Sequence, residues 1–159
     1  MRLQFYHPRK GRISLDRMIS EIYAYIENDR NAVYKMVIGT DSQTSHKGTL
    51  FVTAIILHRV GKGALFYYSK KRSRPLMDLR YRIYKETEYS LNLMERLKEK
   101  GFLGASLELP VEIHLDVGRQ GETRKLIQEV VGWVTAVGYT AKIKPDAYAA
   151  SAVADRFTK

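Results

Sequence analysis

The sequence predicts an α/β fold in which a five-stranded mixed sheet is flanked by helices and preceded by an N-terminal helical extension. Three apolar segments between residues 33 and 71 are joined by connections too short for crossovers, so they predict an antiparallel meander. From residue 77 onward, helical patterns alternate with two further strand-like segments, which predicts α/β crossovers. An apolar pattern at helical spacing lies before the first strand and predicts the extension.

The chain has 159 residues, which is enough for one domain with its own hydrophobic core. We expect this single domain to comprise an extension over residues 1–32 and a core over residues 33–159. The chain contains no cysteine, which excludes disulfides and thiolate metal sites and fits a cytoplasmic protein. We expect no membrane association, because no apolar stretch is long enough to cross a bilayer and the basic first residues carry no secretory pattern.

The extension is predicted to contain one helix that begins after Ser14. Ser14 can act as the N-cap, and Asp16 lies in the first turn, near the positive end of the helix dipole. The apolar residues that recur at helical spacing are Leu15, Met18, Ile19, Ile22, Tyr23 and Ile26. We expect the helix to end near residues 27–31.

The core is predicted to contain five strands and three helices. The strands of the meander are expected at about Val33–Asp41, Thr49–Val60 and Ala64–Lys71. The later elements are expected to be a helix at about 77–100, a strand at 111–117, a helix at 122–137, a strand at 139–144 and a helix at 147–157. If the second strand pairs with one side of the first, the fourth strand can pair with its other side.

Two aspartates follow apolar strands and are candidate ligands for a cation. Asp41 comes after the apolar run Met36–Ile38, and Asp116 lies near the end of the fourth predicted strand. A carboxylate at the end of a buried strand is costly to desolvate unless a partner neutralises it. The alternative is that both aspartates only form turns. Ligands favour the carboxyl ends of adjacent parallel strands, which is where these two side chains would lie.

Glu86 is a candidate on the long predicted helix. It shares a partly apolar stripe with Ser90 and Leu97, so it can point toward the sheet. The alternative is an exposed glutamate that pairs with Arg82 at i−4. Glu88 is the rival candidate on the same helix.

Two acids near the end of the chain are the remaining candidates. Asp146 lies between the fifth strand and the last helix, where N-capping alone would explain it. Asp155 lies two turns deeper and can pair with Lys159 at i+4. The last helix is rich in alanine, and small side chains would let it approach the sheet closely. Three histidines are possible assistants, although lone histidines on strands are more often structural: His46, His58 and His114.

A cluster of these carboxylates would suit Mg²⁺ or Mn²⁺, which are hard cations that prefer oxygen ligands. Two such ions about 4 Å apart can activate a water molecule and stabilise the departing oxygen in phosphodiester cleavage. Without a cation, clustered carboxylates repel one another and raise one another's pKa. The acids therefore favour a metal-dependent reaction on a phosphodiester.

The net charge of +10 is concentrated in one part of the chain. Residues 59–85 contain nine basic residues and one acidic residue, so they carry a charge of +8. This local excess suits a polyanion such as nucleic acid, although it can also be a solvated face. The residues expected to hold phosphates are Lys70, Lys71, Arg72 and Arg74. Three tyrosines can stack on bases or sugars, or else pack in the core: Tyr67, Tyr68 and Tyr81.

Three motifs and the order of the elements resemble a bacterial ribonuclease H-like family of unknown function, whose members are predicted nucleases. The motifs are Ile-Gly-Thr-Asp-Ser at 38–42, His-Leu-Asp-Val-Gly at 114–118 and Ile-Lys-Pro-Asp-Ala-Tyr-Ala-Ala-Ser at 143–151. The resemblance covers about residues 14–159 and implies the ribonuclease H-like fold. It also implies that Asp41, Glu86 and Asp116 bind metal. The fourth acid that it implies is either Asp146, which matches by topology, or Asp155.

Two functions compete on this basis. The first is a metal-dependent nuclease that hydrolyses RNA, an RNA–DNA hybrid or structured DNA by a two-metal mechanism. Asp41 and Asp116 would hold both ions, and Glu86 and Asp146 would complete their coordination. The alternative is a non-catalytic nucleic-acid-binding module on the same fold. A third function, nucleotide binding, is suggested by residues 116–123, which resemble a phosphate loop, but such folds usually need two domains.

Overall fold

A mixed seven-stranded sheet forms the centre of the computed structural model, which describes residues 3–101, 109–118 and 124–158. In chain order the strands are β1 (Gln4–His7), β2 (Gly11–Ile13), β3 (Tyr34–Ser45), β4 (Gly48–Arg59), β5 (Ala64–Ser73), β6 (Val111–His114) and β7 (Thr140–Lys142). The α-helices are α1 (Leu15–Glu27), α2 (Leu79–Glu99) and α3 (Arg124–Val137). A π-helical turn (Ala149–Val153) and a 3-10 turn (Ala154–Phe157) follow, and we call residues 149–157 the C-terminal helical segment. The strand order across the sheet is β2-β1-β5-β4-β3-β6-β7.

Strand β3 lies between an antiparallel and a parallel neighbour, as the sequence predicts. It pairs with β4 from Tyr34 to Ser45 and with β6 only from Met36 to Gly39. The predicted end of this strand at Asp41 is wrong, because the pairing with β4 carries β3 four residues further. On the β6 side the pairing stops early, so the second half of β3 has β4 as its neighbour.

The predicted count of five strands is wrong, because β1 and β2 extend the sheet beyond β5. Strand β1 pairs with β5 in the register Phe5↔Ser69 and with β2 in the register Phe5↔Ile13. The helix prediction for this region is confirmed, since α1 begins after Ser14, whose Oγ accepts a hydrogen bond from the amide of Arg17. The N-terminal region is therefore not only a helical extension. Strands of three and four residues are too short to show a period of two in the sequence.

The main hydrophobic core lies between the sheet and the three α-helices. Its members are buried side chains from every α-helix and from β3, β4 and β6, including Met18, Met36, Ile38, Ile55, Leu93, Met94, Ile113 and Val130. The C-terminal helical segment packs on the other face of β3 and β4. There Ala149 contacts Val37 and Ile56, and Ala154 contacts Val52 and Ala54. The small alanines let this segment lie close to the sheet, as the sequence predicts.

The helix predicted at 147–157 is replaced by the π-helical and 3-10 turns of the C-terminal helical segment. Alanine-rich composition favours a helix but does not distinguish these hydrogen-bonding patterns from the α-helical one. The loop expected near residues 104–110 and the start of the helix expected at 122 lie largely outside the described residues. No helix among the residues that the structure describes is both long enough and apolar enough to span a membrane.

We expect Phe5→Ala to lower the free energy of unfolding by about 3–5 kcal/mol, because Phe5 is 1% exposed and belongs to the main core. Denaturant titration followed by circular dichroism measures this change. Gln4→Ala on the same strand is the matched control, and its exposed side chain should change stability by no more than about 0.5 kcal/mol. If Phe5→Ala changes the free energy of unfolding as little as the control does, β1 contributes little to the stability of the fold.

Candidate metal centre

Three acidic side chains from different elements meet at one point of the structure. They are Asp41 on β3, Glu86 on α2 and Asp116 just after β6, and one carboxylate oxygen of each lies within 4.8 Å of the others. Asp41 and Glu86 are buried, and Asp116 is partly buried. The predicted proximity of Asp41 and Asp116 is therefore confirmed. We call these three residues the acidic triad.

The register of the parallel strands places the two aspartates side by side. The last pair between β3 and β6 is Gly39↔His114, and Asp41 and Asp116 each lie two residues further along the chain from it. Backbone hydrogen bonds hold the chain beyond β6 in place. The amide of Leu115 donates to the carbonyl of Lys142 at 2.9 Å, and the amide of Lys144 donates to the carbonyl of Val117 at 2.8 Å.

Buried hydroxyl groups fix α2, and with it Glu86, against β3. The Oγ of Ser42 donates to the Oε2 of Glu86 at 2.6 Å. One turn further along α2, the Oγ of Ser90 lies 2.8 Å from the Oγ1 of Thr40, which lies 2.9 Å from the Oγ1 of Thr53. Glu86 therefore faces the sheet, and the alternative of an exposed glutamate paired with Arg82 is wrong.

The environment of Glu86 opposes its ionisation. Burial raises the pKa of Glu86 well above its usual range, and the negative charges of Asp41 and Asp116 raise it further. The hydrogen bond from Ser42 and the charge of Arg82 act in the opposite direction but are outweighed. A cation among the three acids would remove both the repulsion and the cost of burying a charge. Three oxygen donors of this kind fit a hard divalent ion such as Mg²⁺ or Mn²⁺.

Lys144 is a member of this site that sequence reasoning missed. Its Nζ lies 3.0 Å from the Oδ1 of Asp116. The last pair between β6 and β7 is His114↔Lys142, so Lys144 also lies two residues beyond the end of the pairing. The polar partners Ser42, Thr40 and Ser90 were likewise missed. Alternation along β3 would have placed Thr40 and Ser42 on one face, but their contacts with α2 depend on tertiary packing.

The other acids considered from the sequence lie apart from the acidic triad or outside the described residues. Asp146 is exposed, and its amide donates to the carbonyl of Ile143 at 2.8 Å. Glu88 forms an ion pair with Lys85 at 2.7 Å, on a partly exposed part of α2. The side chain of Asp155 and its possible partner Lys159 lie outside the described residues.

Of the three histidines, His114 is closest in sequence to the acidic triad. Its Nε2 lies 3.0 Å from the Oε1 of Glu112, and its Nδ1 accepts a hydrogen bond from the amide of Ala149 at 3.2 Å. Burial lowers the pKa of His114, which favours the neutral ring. His114 therefore connects β6 to the C-terminal helical segment and has a structural part in the site. His46 is exposed in the turn between β3 and β4, and His58 lies near the far end of β4.

Strand alternation divides the predicted phosphate-binding residues between the two faces of β5. Lys70 lies on the face of the C-terminal helical segment, with its Nζ 5.8 Å from the ring centroid of Tyr68. Arg72 follows two residues later on the same face. Lys71 points to the opposite face and lines a second groove next to α2, which Lys70 also borders. Arg74 is exposed just beyond the end of β5.

A basic groove of about 460 Å³ lies beside the C-terminal helical segment. Its lining includes three basic residues and two residues near the end of the chain, namely Lys47, Lys70, Arg72, Phe157 and Thr158. The Oγ1 of Thr158 donates to the Oδ2 of Asp41 at 3.4 Å. Thr158 therefore contacts both the groove and the acidic triad.

The tyrosines predicted to stack on nucleic acid have different environments. Tyr67 is buried, and its hydroxyl donates to the Oε1 of Glu21 at 2.6 Å, so it belongs to the core. Tyr68 stacks between Tyr6, at a centroid distance of 5.3 Å, and Phe157, at 4.0 Å. Tyr81 is exposed near the start of α2.

In the metal-free protein, we expect Glu86→Gln to raise the melting temperature at about pH 8 and to have little effect at about pH 4. The pKa of Glu86 is raised in the folded protein, so the wild type loses stability as the pH rises above the ordinary value of 4.5 toward the folded value. Glutamine does not ionise and can still accept the hydrogen bond of Ser42. The measurement is the melting temperature in EDTA across this pH range.

The matched control for this experiment is Glu88→Gln on the same helix. Its carboxylate is partly exposed and paired with Lys85, so the change should not show the same growth with pH. If the difference in melting temperature between wild type and Glu86→Gln stays constant with pH, the raised pKa of Glu86 is contradicted.

Comparison with known proteins agrees with this architecture. A family model described as Ribonuclease H-like matches residues 17–159. The chain is 37% identical over 166 aligned residues to the uncharacterized protein YkuK of Bacillus subtilis, and the alignment covers 98% of this chain and 96% of that protein. No solved structure gives a significant match. The chain therefore belongs to the ribonuclease H-like family.

Proposed function

We propose that the protein is a divalent-metal-dependent nuclease that hydrolyses phosphodiester bonds in RNA, an RNA–DNA hybrid or structured DNA. The observation that carries the proposal is the acidic triad, whose oxygens lie within 4.8 Å of one another. It lies just beyond the end of the parallel pairing of β3 with β6, on the side toward the carboxyl ends of these strands, which is where ligands bind in α/β sheets. The ribonuclease H-like fold supports nucleic acid as the partner.

In this proposal, Asp41 and Asp116 would hold two divalent ions, and Glu86 would help to hold them. Bound Mg²⁺ or Mn²⁺ would supply Lewis acidity to activate water and to stabilise the departing oxygen. Ser42 holds the Glu86 carboxylate toward the aspartates, and Thr158 holds that of Asp41. The fourth ligand stays a proposal from the sequence, with Asp146 or Asp155 as its candidate.

The basic groove is the proposed path of the nucleic acid. Lys70 and Arg72 lie on the same face of β5, and Lys47 lines the same groove from the turn between β3 and β4. The groove meets the acidic triad at Thr158. Basic residues of this kind contact phosphates and give affinity without sequence preference. Lys71 and Arg74 are further proposed contacts.

We expect Asp41→Asn to reduce metal-dependent cleavage by several orders of magnitude and to leave the fold intact. Asparagine keeps the size and one acceptor oxygen but loses the charge that a divalent ion needs. Without metal the variant should melt at a slightly higher temperature, because one of three crowded acids no longer repels the others. Mn²⁺ should stabilise the wild type by mass action and the variant much less. The measurements are cleavage of labelled RNA, hybrid and branched DNA, together with thermal shifts.

Glu88→Gln is the matched control for Asp41→Asn and should keep both the cleavage activity and the Mn²⁺-dependent thermal shift. If Asp41→Asn cleaves as fast as wild type, Asp41 is only a structural residue. If the wild type shows neither cleavage nor a metal-dependent shift but still binds nucleic acid, the protein is the non-catalytic binding module. Loss of activity in Asp146→Asn would place that exposed residue in the site.

We expect the double variant Lys70→Ala/Arg72→Ala to weaken nucleic-acid binding and to flatten its salt dependence. Each lost phosphate contact should lower the slope of log K against log salt by about 0.7–0.9. Fluorescence anisotropy at several salt concentrations measures this slope.

Lys62→Ala is the matched control for the groove. Lys62 pairs with Asp29 in the turn that follows β4, at the opposite end of the sheet from Asp41. It should leave the slope unchanged. A larger effect of Lys71→Ala than of the double variant would move the binding surface to the groove next to α2.

A further inference from the structure

Three side chains occupy equivalent positions at the edge of the acidic triad. The parallel strands β3, β6 and β7 are in register at Gly39, His114 and Lys142. Two residues beyond this row, the three segments of the chain carry Asp41, Asp116 and Lys144. A cationic side chain therefore stands in the same row as two proposed metal ligands, next to Asp116.

The ammonium group of Lys144 is placed by the local structure. Its amide donates to the carbonyl of Val117 at 2.8 Å, which fixes the backbone from which the side chain leaves. A side chain at position 118 would meet the Cβ of Lys144 at 3.4 Å, so Gly118 leaves room for the lysine stem. The Nζ then reaches the Oδ1 of Asp116 at 3.0 Å.

The ion pair between Lys144 and Asp116 has features that allow Lys144 to exchange its partner. The Oδ1 of Asp116 is buried but accepts no aligned hydrogen bond from the described residues, so its contact with Lys144 is mainly electrostatic. The side chain of Lys144 is 47% exposed, whereas that of Asp116 is 21% exposed. Lysine is a compact point charge on a flexible stem, so its ammonium group can turn toward solvent with little rearrangement.

We propose that Lys144 is a positioning residue that exchanges Asp116 for a substrate phosphate when a divalent ion binds the acidic triad. The proposal rests on the metal-dependent function proposed above. In the metal-free protein, Lys144 neutralises Asp116. Once a divalent ion takes over that carboxylate, the ammonium group is repelled by a like charge and its ion pair with Asp116 is weakened. A phosphate oxygen at the edge of the triad then provides a new charge-assisted hydrogen bond for Lys144.

The exchange couples ion binding to nucleic-acid binding. Before the ion binds, Lys144 competes with it for Asp116, so the lysine weakens ion affinity. After the ion binds, the same lysine strengthens the affinity for the phosphodiester. A lysine that only held the loop after β7 in place would have neither effect, because its role would not change with the ion.

The test compares wild type with Lys144→Gln in Ca²⁺ and in EDTA. Ca²⁺ takes oxygen ligands, and the readout is binding and not cleavage. The probes are the labelled RNA, hybrid and branched DNA named above, and anisotropy gives the affinity for each. In Ca²⁺ the variant should bind the preferred probe roughly tenfold more weakly, with a salt slope lower by about 0.7–0.9. In EDTA the loss of affinity should be much smaller than in Ca²⁺, since Lys144 is then engaged with Asp116.

A second measurement concerns the ion alone. Calorimetric titration with Mn²⁺ should show several-fold tighter binding to Lys144→Gln than to wild type, because the competing ammonium group is gone. Lys144→Arg keeps the charge and should restore most of the wild-type behaviour in both experiments. Lys62→Gln, at the opposite end of the sheet, is the matched control and should behave as wild type.

The outcomes separate this inference from the proposed function. If the wild type shows no Mn²⁺ binding and no effect of Ca²⁺ on nucleic-acid binding, the metal-dependent function is wrong and the exchange falls with it. If the wild type shows both effects but Lys144→Gln matches it, only the exchange is wrong. An equal loss of affinity in Ca²⁺ and in EDTA would make Lys144 an ordinary phosphate contact or a structural residue and would also overturn the exchange.

Discussion

The parallel pairing of β3 with β6 is the constraint on which the rest of the site depends. It covers only four residues on each strand and ends at Gly39↔His114. The two strands leave the pairing at the same level. The side chains that follow are therefore close together and do not depend on a long loop to bring them into contact. A shift of the register by one residue would turn these side chains to the opposite faces of the sheet. The short parallel ladder therefore sets the geometry, while the longer antiparallel pairing of β3 with β4 supplies stability.

The acidic triad shows how the fold tolerates a locally unfavourable arrangement. Asp41 and Glu86 are buried close to Asp116, which costs desolvation and repulsion in the metal-free protein. The surrounding structure meets part of this cost through Ser42 and Thr158, which hydrogen bond to two of the three acids. Lys144 neutralises the third. Each carboxylate thus has a polar partner from another part of the chain, which keeps the three side chains directed toward a common point.

Much of the architecture follows from the sequence because it rests on local patterns. Helices α1 and α2 were predictable from apolar spacing and caps, and the meander was predictable from its short connections. Asp41 and Asp116 were predictable because each follows an apolar run in the sequence. Strands β1 and β2 were not predictable, because strands of three or four residues are too short to show an alternation of apolar and polar side chains. Lys144 was not, because its place beside Asp116 depends on the register between β6 and β7, which is a property of the folded chain.

The aromatic stack of Tyr6, Tyr68 and Phe157 joins parts of the chain that are synthesised far apart in time. Tyr6 lies on β1, which is synthesised long before Phe157, and Phe157 is next to Thr158, which contacts Asp41. The contact between Tyr68 and Phe157 can therefore form only after residue 157 has been synthesised. Contacts of such high sequence separation form slowly, because loop closure must precede them. The acidic triad likewise can assemble only after Asp116 has been synthesised, and chains interrupted before residue 116 lack one of its three carboxylates.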